Sequence, residues 1–335
     1  MKPARIFLII ILVAVTLATV GALGANWRAS REKTPNNAET EATQTHPLKP
    51  GDYAFLLRVD NSERKYLLHV PASYNKQNPT PLVLVFHGAM GSADIMAKSH
   101  EWVPKSEAEG FIVAFPNGAS RSASGNLATW NAGDCCGYAR QSHSDDVGFV
   151  KAAINDIKHK ANIGDIFAAG MSNGGMFSYR LACEMSDTFS AVASVSGTDN
   201  YPECQPQHPI SIVHIHGLKD DRVLFYGGCG SECQAKTEPS FTSVPDTIAK
   251  WVQRDHCNSL PQTVTINENA YYDVYGGCDE GKQIKLYVIK DGGHSWPTTA
   301  TTKADASDKE PPSHAISATD EIWNFFKANM ATRQQ

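Results

Sequence analysis

The sequence is poor in charged residues, and its positive charges form no cluster. Only 19% of its 335 residues are Asp, Glu, Lys or Arg, and the formal net charge is −5. A nucleic-acid-binding protein needs cationic groups that neutralise phosphates, so no nucleic-acid partner is predicted. Internal repeats are lacking, and eight cysteines are too few for disulfides alone to hold this chain together. Bulk disorder is excluded because 41% of the residues are hydrophobic.

The first 25 residues predict export. Lys2 and Arg5 precede an apolar run over residues 6–20, and small residues dominate positions 21–25. This order is typical of a secretory signal peptide. The run extended to position 23 is also just long enough to cross a bilayer as an uncleaved anchor. Both alternatives place the rest of the chain outside the cytoplasm, secreted or periplasmic, and the second one tethers it to a membrane.

The remaining chain predicts a tether followed by one folded domain. Residues 26–50 contain almost no large apolar side chain and therefore predict a disordered polar segment. Residues 51–331 show no second linker of this kind, so we expect a single domain there. All eight cysteines lie beyond the export segment, in a setting where disulfides persist.

The folded part alternates short apolar runs with helix-length segments. Unbroken runs of Val, Ile and Leu are typical of strands buried on both faces, as in parallel sheets. We therefore predict an α/β fold with a mostly parallel central sheet and helices on both faces. The predicted strands are residues 53–59, 65–70, 81–86, 112–115, 166–169, 191–195, 210–216 and 283–289, and the predicted helices are residues 92–108, 146–161, 174–186, 244–256 and 315–329.

One strand end carries a serine motif. Residues 170–174 read G-M-S-N-G, a G-x-S-x-G pattern between a predicted strand and a predicted helix. This context predicts a nucleophile elbow, in which Ser172 is exposed on a tight turn and the helix N-terminus favours developing negative charge. The five residues alone would fit a glycine-rich loop, and the flanking elements favour the elbow.

A serine nucleophile needs a general base, and the base needs a carboxylate that orients it. His294 follows the last predicted strand in the loop G-G-H-S-W-P, whereas His256 and His314 fall in or near predicted helices. We therefore predict His294 as the base. Asp220 and Asp221 both follow the strand at residues 210–216, and we favour Asp220 as the acid.

Two backbone N–H groups are predicted to form an oxyanion hole. One belongs to Asn173, directly after the serine, and the other to Ala89, in the loop that His87 and Gly88 begin. This chemistry requires no metal and no organic cofactor.

His214 and His216 alternate on the strand at residues 210–216. Two histidines without a third ligand at suitable spacing do not define a metal site, so we assign them structural roles.

The motifs together resemble the secreted polyhydroxybutyrate depolymerase / feruloyl esterase-like family of the α/β-hydrolase superfamily. The resemblance spans residues 53–326, and its most specific part is W-N-A-G-D-C-C-G at residues 130–137 with D-D-V-G-F at 145–149. It implies Ser172 as nucleophile, Asp220 as acid and His294 as base. It further implies His87-Gly88 as the first segment of the oxyanion hole.

The resemblance implies a serine esterase that hydrolyses carboxylic esters through an acyl-enzyme. Candidate substrates are polyhydroxybutyrate-type oligomers or polyesters and feruloyl or acetyl esters. A departure after the acid, with an insert at residues 227–238, makes the choice among them open. Another serine hydrolase on this fold, a peptidase or an acyltransferase, stays an alternative. So does a non-catalytic polymer- or carbohydrate-binding module, although an intact Ser/Asp/His set argues against it.

The resemblance also implies disulfides between Cys183 and Cys204 and between Cys257 and Cys278. The other four cysteines fit either a bond between the adjacent pair at positions 135 and 136, with a second bond between positions 229 and 233, or pairing of the adjacent cysteines with the insert. Trp130 and Trp296 are candidates for the wall of a substrate pocket, and core packing is the alternative.

Overall fold

The apolar runs of the sequence come together in one sheet. The computed structural model describes residues 48–60, 62–122, 124–231, 240–300 and 311–330. The predicted signal or anchor segment, most of the predicted tether and part of the insert lie outside these residues. Within them the strands are β1 Gly51–Val59, β2 Ser62–Val70, β3 Thr80–Phe86, β4 Ile112–Pro116, β5 Ile163–Met171, β6 Ala191–Val195, β7 Ser211–Gly217, β8 Gln262–Thr265, β9 Ala270–Tyr275 and β10 Ile284–Ile289. The helices are α1 Ala93–Lys98, α2 Trp102–Glu109, α3 Gly137–Gln141, α4 Asp146–Lys160, α5 Asn173–Glu184, α6 Val244–Arg254 and α7 Ala318–Ala328, with a short 3₁₀ helix at Asp279–Gly281.

The strand order places the carboxyl ends of the central strands along one edge. The order is β1-β2-β4-β3-β5-β6-β7-β10-β9-β8. Strands β4, β3, β5, β6, β7 and β10 run parallel, and antiparallel strands flank them on both sides. The predicted α/β fold with a mostly parallel sheet is confirmed. The loops after β5, β7 and β10, which carry the candidate residues, all leave from this edge.

Apolar side chains fill both faces of the sheet. Along β3, Leu84 belongs to the core on one face and Val85 to the core on the other, as strand alternation requires. Helices α4, α5 and α6 cover the first face, and α1, α2 and α7 cover the second. The prediction of helices on both faces is therefore confirmed.

Three parts of the secondary-structure prediction were wrong. The short helix α3 was not predicted. The single helix predicted at residues 92–108 is two helices, because His100 and Glu101 both adopt left-handed backbone conformations between α1 and α2. Strands β8 and β9 were not predicted. They lie at the edge of the sheet, and the side chains of β8 are exposed, so no apolar run marks it in the sequence.

Disulfides join distant and adjacent parts of the domain. The bonded pairs are Cys183–Cys204, Cys257–Cys278 and Cys135–Cys136. The first two agree with the resemblance, and the third favours the adjacent pair over pairing with the insert. Cys229 is also disulfide-bonded, whereas Cys233, its predicted partner, lies outside the described residues.

A buried ion pair organises the loop that precedes α4. One carboxylate oxygen of Asp146 accepts from the Arg64 guanidinium of β2 at 2.6 Å, and the other accepts from the backbone N–H of Asn131 at 2.7 Å. Both charged side chains are buried. The single carboxylate of Asp146 therefore joins residues 130–137, called the W-N block below, to the β1–β2 hairpin and to α4.

We expect Asp146→Asn to lower the free energy of unfolding by about 3 kcal/mol or more, because Arg64 would keep a buried charge without its partner. Whichever way the amide turns, its NH₂ group faces another donor. Denaturant unfolding monitored by circular dichroism measures the change. The matched control is Asp145→Asn, since Asp145 only caps α4 through Gly148 N–H and asparagine caps equally well. Equal stability of the two variants would contradict this assignment.

Candidate active site

Ser172 stands on a tight turn between β5 and α5. Its φ is 53° and its ψ is −122°, a conformation that non-glycine residues rarely adopt. Its backbone N–H donates to the carbonyl oxygen of Val195 on β6 at 2.8 Å, which fixes the turn at the carboxyl edge of the sheet. The side chain is half-buried at the N-terminus of α5. This is the geometry of a nucleophile elbow.

The glycines of the motif are required by space. A Cβ atom at Gly174 would collide with the carbonyl oxygen of Phe86 on β3, and one at Gly170 would collide with the carbonyl oxygen of Gly174. The small residues on both sides of Ser172 therefore allow strand, turn and helix to approach this closely.

The loop at residues 87–91 packs directly against this turn. A Cβ atom placed on Gly88 would lie 3.6 Å from the Cβ of Ser172. The buried ring of His87 holds the loop from within: Nδ1–H donates to the Gly88 carbonyl oxygen at 2.7 Å, and Nε2 accepts from Gly118 N–H at 3.0 Å. His87 thus shapes the loop rather than facing a ligand. Ala89 is exposed, and its N–H has no acceptor within the part of the chain that the structure describes.

Asn173 is locked by the W-N block. Its Oδ1 accepts from Trp130 N–H at 2.7 Å, and its Nδ2 donates to the Trp130 carbonyl oxygen at 2.9 Å. Trp130 in turn donates from Nε1 to the His87 carbonyl oxygen at 3.0 Å. At the first position of α5, the backbone N–H of Asn173 has no acceptor within the helix. The side-chain bonds hold that N–H beside Ser172 and join the elbow to the 87–91 loop.

The rings of Trp130 and Trp296 lie in the core. They are 0% and 1% exposed, respectively. Trp130 stacks on Phe177 of α5, and Trp296 stacks on His100 and donates from Nε1 to Thr319. Neither ring offers an exposed surface to a substrate, so the structure gives the pocket-wall interpretation no support. Trp130 contributes to the site through its backbone and its indole N–H.

Asp220 and His294 meet at the carboxyl edge of the sheet. Asp220 Oδ2 lies 2.8 Å from His294 Nδ1, and Oδ1 accepts from the backbone N–H groups of Arg222 and Val223 at 3.0 and 2.9 Å. A carboxylate only accepts, so Nδ1 of His294 carries the proton. Burial alone would raise the pKa of Asp220, but hydrogen bonds from His216 and His294 outweigh it and hold this pKa well below its ordinary value.

The other candidates lie elsewhere. Asp221 is exposed, and no bond joins its carboxylate to His294. His256 is exposed and paired with Asp279, and His314 is exposed with Nδ1 donating to the Thr298 carbonyl oxygen. The structure therefore brings together Asp220 and His294, and it places Ser172 on the same edge of the sheet.

No metal site accompanies this arrangement in the described residues. The one group there that meets the geometry for metal ligation is Cys183, Asp199 and Cys204, and its two sulfurs form a disulfide. His214 and His216 bond to each other, and His214 also bonds to Tyr179 of α5. Sequence reasoning missed Tyr179, for which the only signal was the alternation of the two histidines. None of the helices in the described ranges is both long and apolar enough to cross a membrane.

The fold is that of the α/β-hydrolases. The acetyl xylan esterase from Aspergillus awamori superposes with a TM-score of 0.51 at 16% identity, over 72% of this chain and 94% of that one. At this identity the likeness concerns the fold.

Sequence comparison adds similarity to esterases. Residues 64–224 match the family model described as Esterase PHB depolymerase. Feruloyl esterase B of Piromyces equi is 30% identical over 241 residues, which is 69% of this chain and 42% of that protein. A bifunctional acetylxylan esterase/xylanase of Neocallimastix patriciarum is 28% identical over 240 residues, 70% of this chain and 31% of that protein. The chain is thus similar in sequence to esterases, and it spans less than half the length of these two relatives.

The buried His87 gives a testable pH dependence of stability. Burial lowers the pKa of His87 from 6.5 to about 4. The native state therefore keeps the ring neutral, and the stability this contributes is complete above pH 6.5 and is lost as the pH falls towards 4. Between pH 7.5 and 5 we expect the wild type to lose about 2 kcal/mol more than His87→Gln, which cannot titrate. Denaturant unfolding at both pH values measures the difference, and equal losses would contradict it.

Proposed function

We propose that this chain is an exported serine esterase, with Ser172 as nucleophile, His294 as general base and Asp220 as the acid that orients it. The observation that carries the proposal is the bond between Asp220 and His294 at the sheet edge on which Ser172 occupies a nucleophile elbow. The chain order Ser, Asp, His agrees with that of α/β-hydrolases.

The reaction is an acyl transfer in two halves. Since Nδ1 of His294 donates to Asp220, Nε2 takes the proton from the Ser172 hydroxyl while Oγ attacks the ester carbonyl carbon. The tetrahedral intermediate collapses, the alcohol leaves with the proton from His294, and an acyl-serine is left. Water then attacks the acyl-serine with the same proton transfers and releases the carboxylic acid.

The backbone N–H groups of Asn173 and Ala89 form the oxyanion hole in this mechanism. Asn173 N–H lies at the N-terminus of α5, where the helix dipole favours negative charge. Gly88 lies so near Ser172 that a Cβ atom built on it would be 3.6 Å from the Ser172 Cβ, and this places the Ala89 end of the loop beside the elbow. Fixed donors of this kind stabilise charge that develops in the transition state, and one donor contributes roughly 10²–10³ in rate.

We assign the substrates to the carboxylic esters, and feruloyl or acetyl esters of plant polysaccharides come first. Two relatives named for such activities support this choice, and the matched family model adds polyhydroxybutyrate-type oligomers or polyesters. A side-by-side panel of methyl ferulate, acetylated xylan and hydroxybutyrate oligomers ranks the three. The catalytic domain is residues 51–331, and residues 1–25 and 26–50 serve as signal or anchor and as tether.

Replacement of the nucleophile tests the reaction class. We expect Ser172→Ala to reduce hydrolysis of a p-nitrophenyl acetate substrate by at least about 10³-fold and to abolish labelling by a fluorophosphonate probe. The control is Ser190→Ala, which lies at the opposite end of β6 and bonds Asp165. Wild-type turnover by Ser172→Ala would overturn the proposal.

Replacement of the two neighbouring aspartates tests the acid. Asp220→Asn presents an amide to His294 and disturbs its tautomer, so kcat falls by about 10³–10⁴-fold. Asp221→Asn changes an exposed side chain, and kcat stays within about threefold. Steady-state kinetics of both folded variants gives the comparison. A larger loss in Asp221→Asn than in Asp220→Asn would reassign the acid.

A further inference from the structure

A line of hydrogen bonds runs through the core to the turn that carries Asp220. The hydroxyl of Tyr179 lies 2.8 Å from His214 Nδ1, and His214 Nε2 lies 3.0 Å from His216 Nδ1. His216 Nε2 lies 2.7 Å from the Val223 carbonyl oxygen and 3.3 Å from Asp220 Oδ2. Tyr179 and His214 are 0% exposed and His216 is 1% exposed. The proposed reaction has not used any of these three side chains.

The acceptor at the end of this line sets the direction of every bond in it. The Val223 carbonyl oxygen can only accept, so His216 Nε2 carries a proton. In a neutral His216 ring, Nδ1 must then accept, and His214 Nε2 must donate to it. His214 Nδ1 therefore accepts from the Tyr179 hydroxyl. All four residues fit one assignment in which each proton points towards Asp220.

His216 clamps the turn that carries the acid. Its Nε2–H bonds the Val223 carbonyl oxygen, while Val223 N–H bonds Asp220 Oδ1. The Nε2–H of His216 also lies near Asp220 Oδ2 and contributes a second, weaker donor to this oxygen beside that of His294. His216 therefore supports the Asp220 carboxylate in two ways: it holds the turn that carries Asp220, and it places an N–H near Oδ2.

We propose that Tyr179 and His214 are positioning residues that keep His216 a neutral N–H donor, so that Asp220 retains its full negative charge for His294. The inference rests on the proposed function. A proton added at His216 Nδ1 would face the N–H of His214. Accepting it would require His214 to move its own proton to Nδ1 and the Tyr179 hydroxyl to lose its acceptor in the dry interior. The line thus opposes protonation of His216.

Neutrality matters because of the distance to the acid. A cationic His216 would lie 3.3 Å from Asp220 Oδ2 and would compensate the charge that stabilises protonated His294 during acyl transfer. Burial lowers the pKa of His214 well below its ordinary value, so that ring stays neutral too.

The charged groups around the line of hydrogen bonds do not by themselves keep His216 neutral. Burial raises the pKa of Tyr179, and the negative charge of Asp199, in the loop after β6, raises it further. Asp199 is itself paired with Lys250 and accepts a hydrogen bond from Trp251 Nε1 of α6. On the other side, Phe225 meets the His216 ring edge to face. Asp220, with His294 beyond it, is the charged group that contacts His216 directly.

The pH profile of kcat/KM in His214→Gln tests the proposal. A glutamine amide can donate to His216 Nδ1 or, turned over, accept from it, so the variant permits the proton that His214 refuses. We expect near wild-type kcat at pH 8. On the acid side, the slope of log(kcat/KM) against pH rises from one towards two, an additional loss of up to about tenfold per pH unit. A purely structural role predicts an unchanged slope.

Two further variants separate the proton from the packing. His214→Met has similar bulk but offers no acceptor, so the slope stays at one even where the rate falls. Tyr179→Phe removes the proton that fixes His214 Nδ1 as an acceptor, and the slope changes in the direction of His214→Gln by a smaller amount. An acid limb of slope one in His214→Gln, or the same steepening in His214→Met, would overturn the proposal.

A measurement without substrate separates this inference from the proposed function. Two-bond ¹H–¹⁵N correlation spectra distinguish protonated from bare imidazole nitrogens. In the wild type we expect His214 and His216 to keep bare Nδ1 and protonated Nε2 throughout the pH range of the kcat/KM profile. Protonation of His216 Nδ1 within that range would refute the assignment. An active Ser172→Ala would refute the esterase mechanism and leave these spectra unaffected.

Discussion

A carboxylate that is removed from water must be surrounded by donors, and Asp220 is the clearest case in this protein. Two backbone N–H groups occupy one of its oxygens, and two histidines approach the other. These donors overcome the burial that would otherwise raise its pKa. The orientation of His294 and the shape of the turn after β7 both follow from satisfying this one group.

A second buried carboxylate plays the same part on the other side of the serine. Asp146 takes Arg64 with one oxygen and Asn131 N–H with the other. The W-N block fixed in this way holds Asn173 and, through the Trp130 indole, the 87–91 loop. The N–H groups proposed as oxyanion donors are thus positioned by a chain of contacts that begins at a charge pair. The proposed base, His294, is positioned by the Asp220 carboxylate, which His216 supports from the other side.

The sequence predicted the parts of this protein that depend on local pattern. Unbroken apolar runs identified the central strands, and the serine motif between a strand and a helix identified the elbow. The exposed edge strands have no such runs, and the break between α1 and α2 depends on two left-handed residues that no local pattern marks. Both aspartates follow the same strand, and the preference for Asp220 over Asp221, which the resemblance also implied, was a prediction. The structure separates them, because only Asp220 turns inward to His294.

Contacts between distant residues were beyond the sequence for a physical reason. Tyr179 and His214 are 35 residues apart in the sequence. They meet only because α5 packs on the face of the sheet towards which the His214 side chain of β7 points. The surroundings of Trp130 and Trp296 also depend on distant residues. Their motifs suggested a substrate pocket, but both rings pack in the core. Polar groups placed in a core must be paired with each other, and the pairing has a direction when one end is a carbonyl oxygen. The hydrogen-bond direction imposed by the Val223 carbonyl oxygen thereby reaches from the turn that carries Asp220 to Tyr179 on α5. It gives the two alternating histidines the same tautomer, with protonated Nε2 and bare Nδ1, which their spacing alone does not reveal.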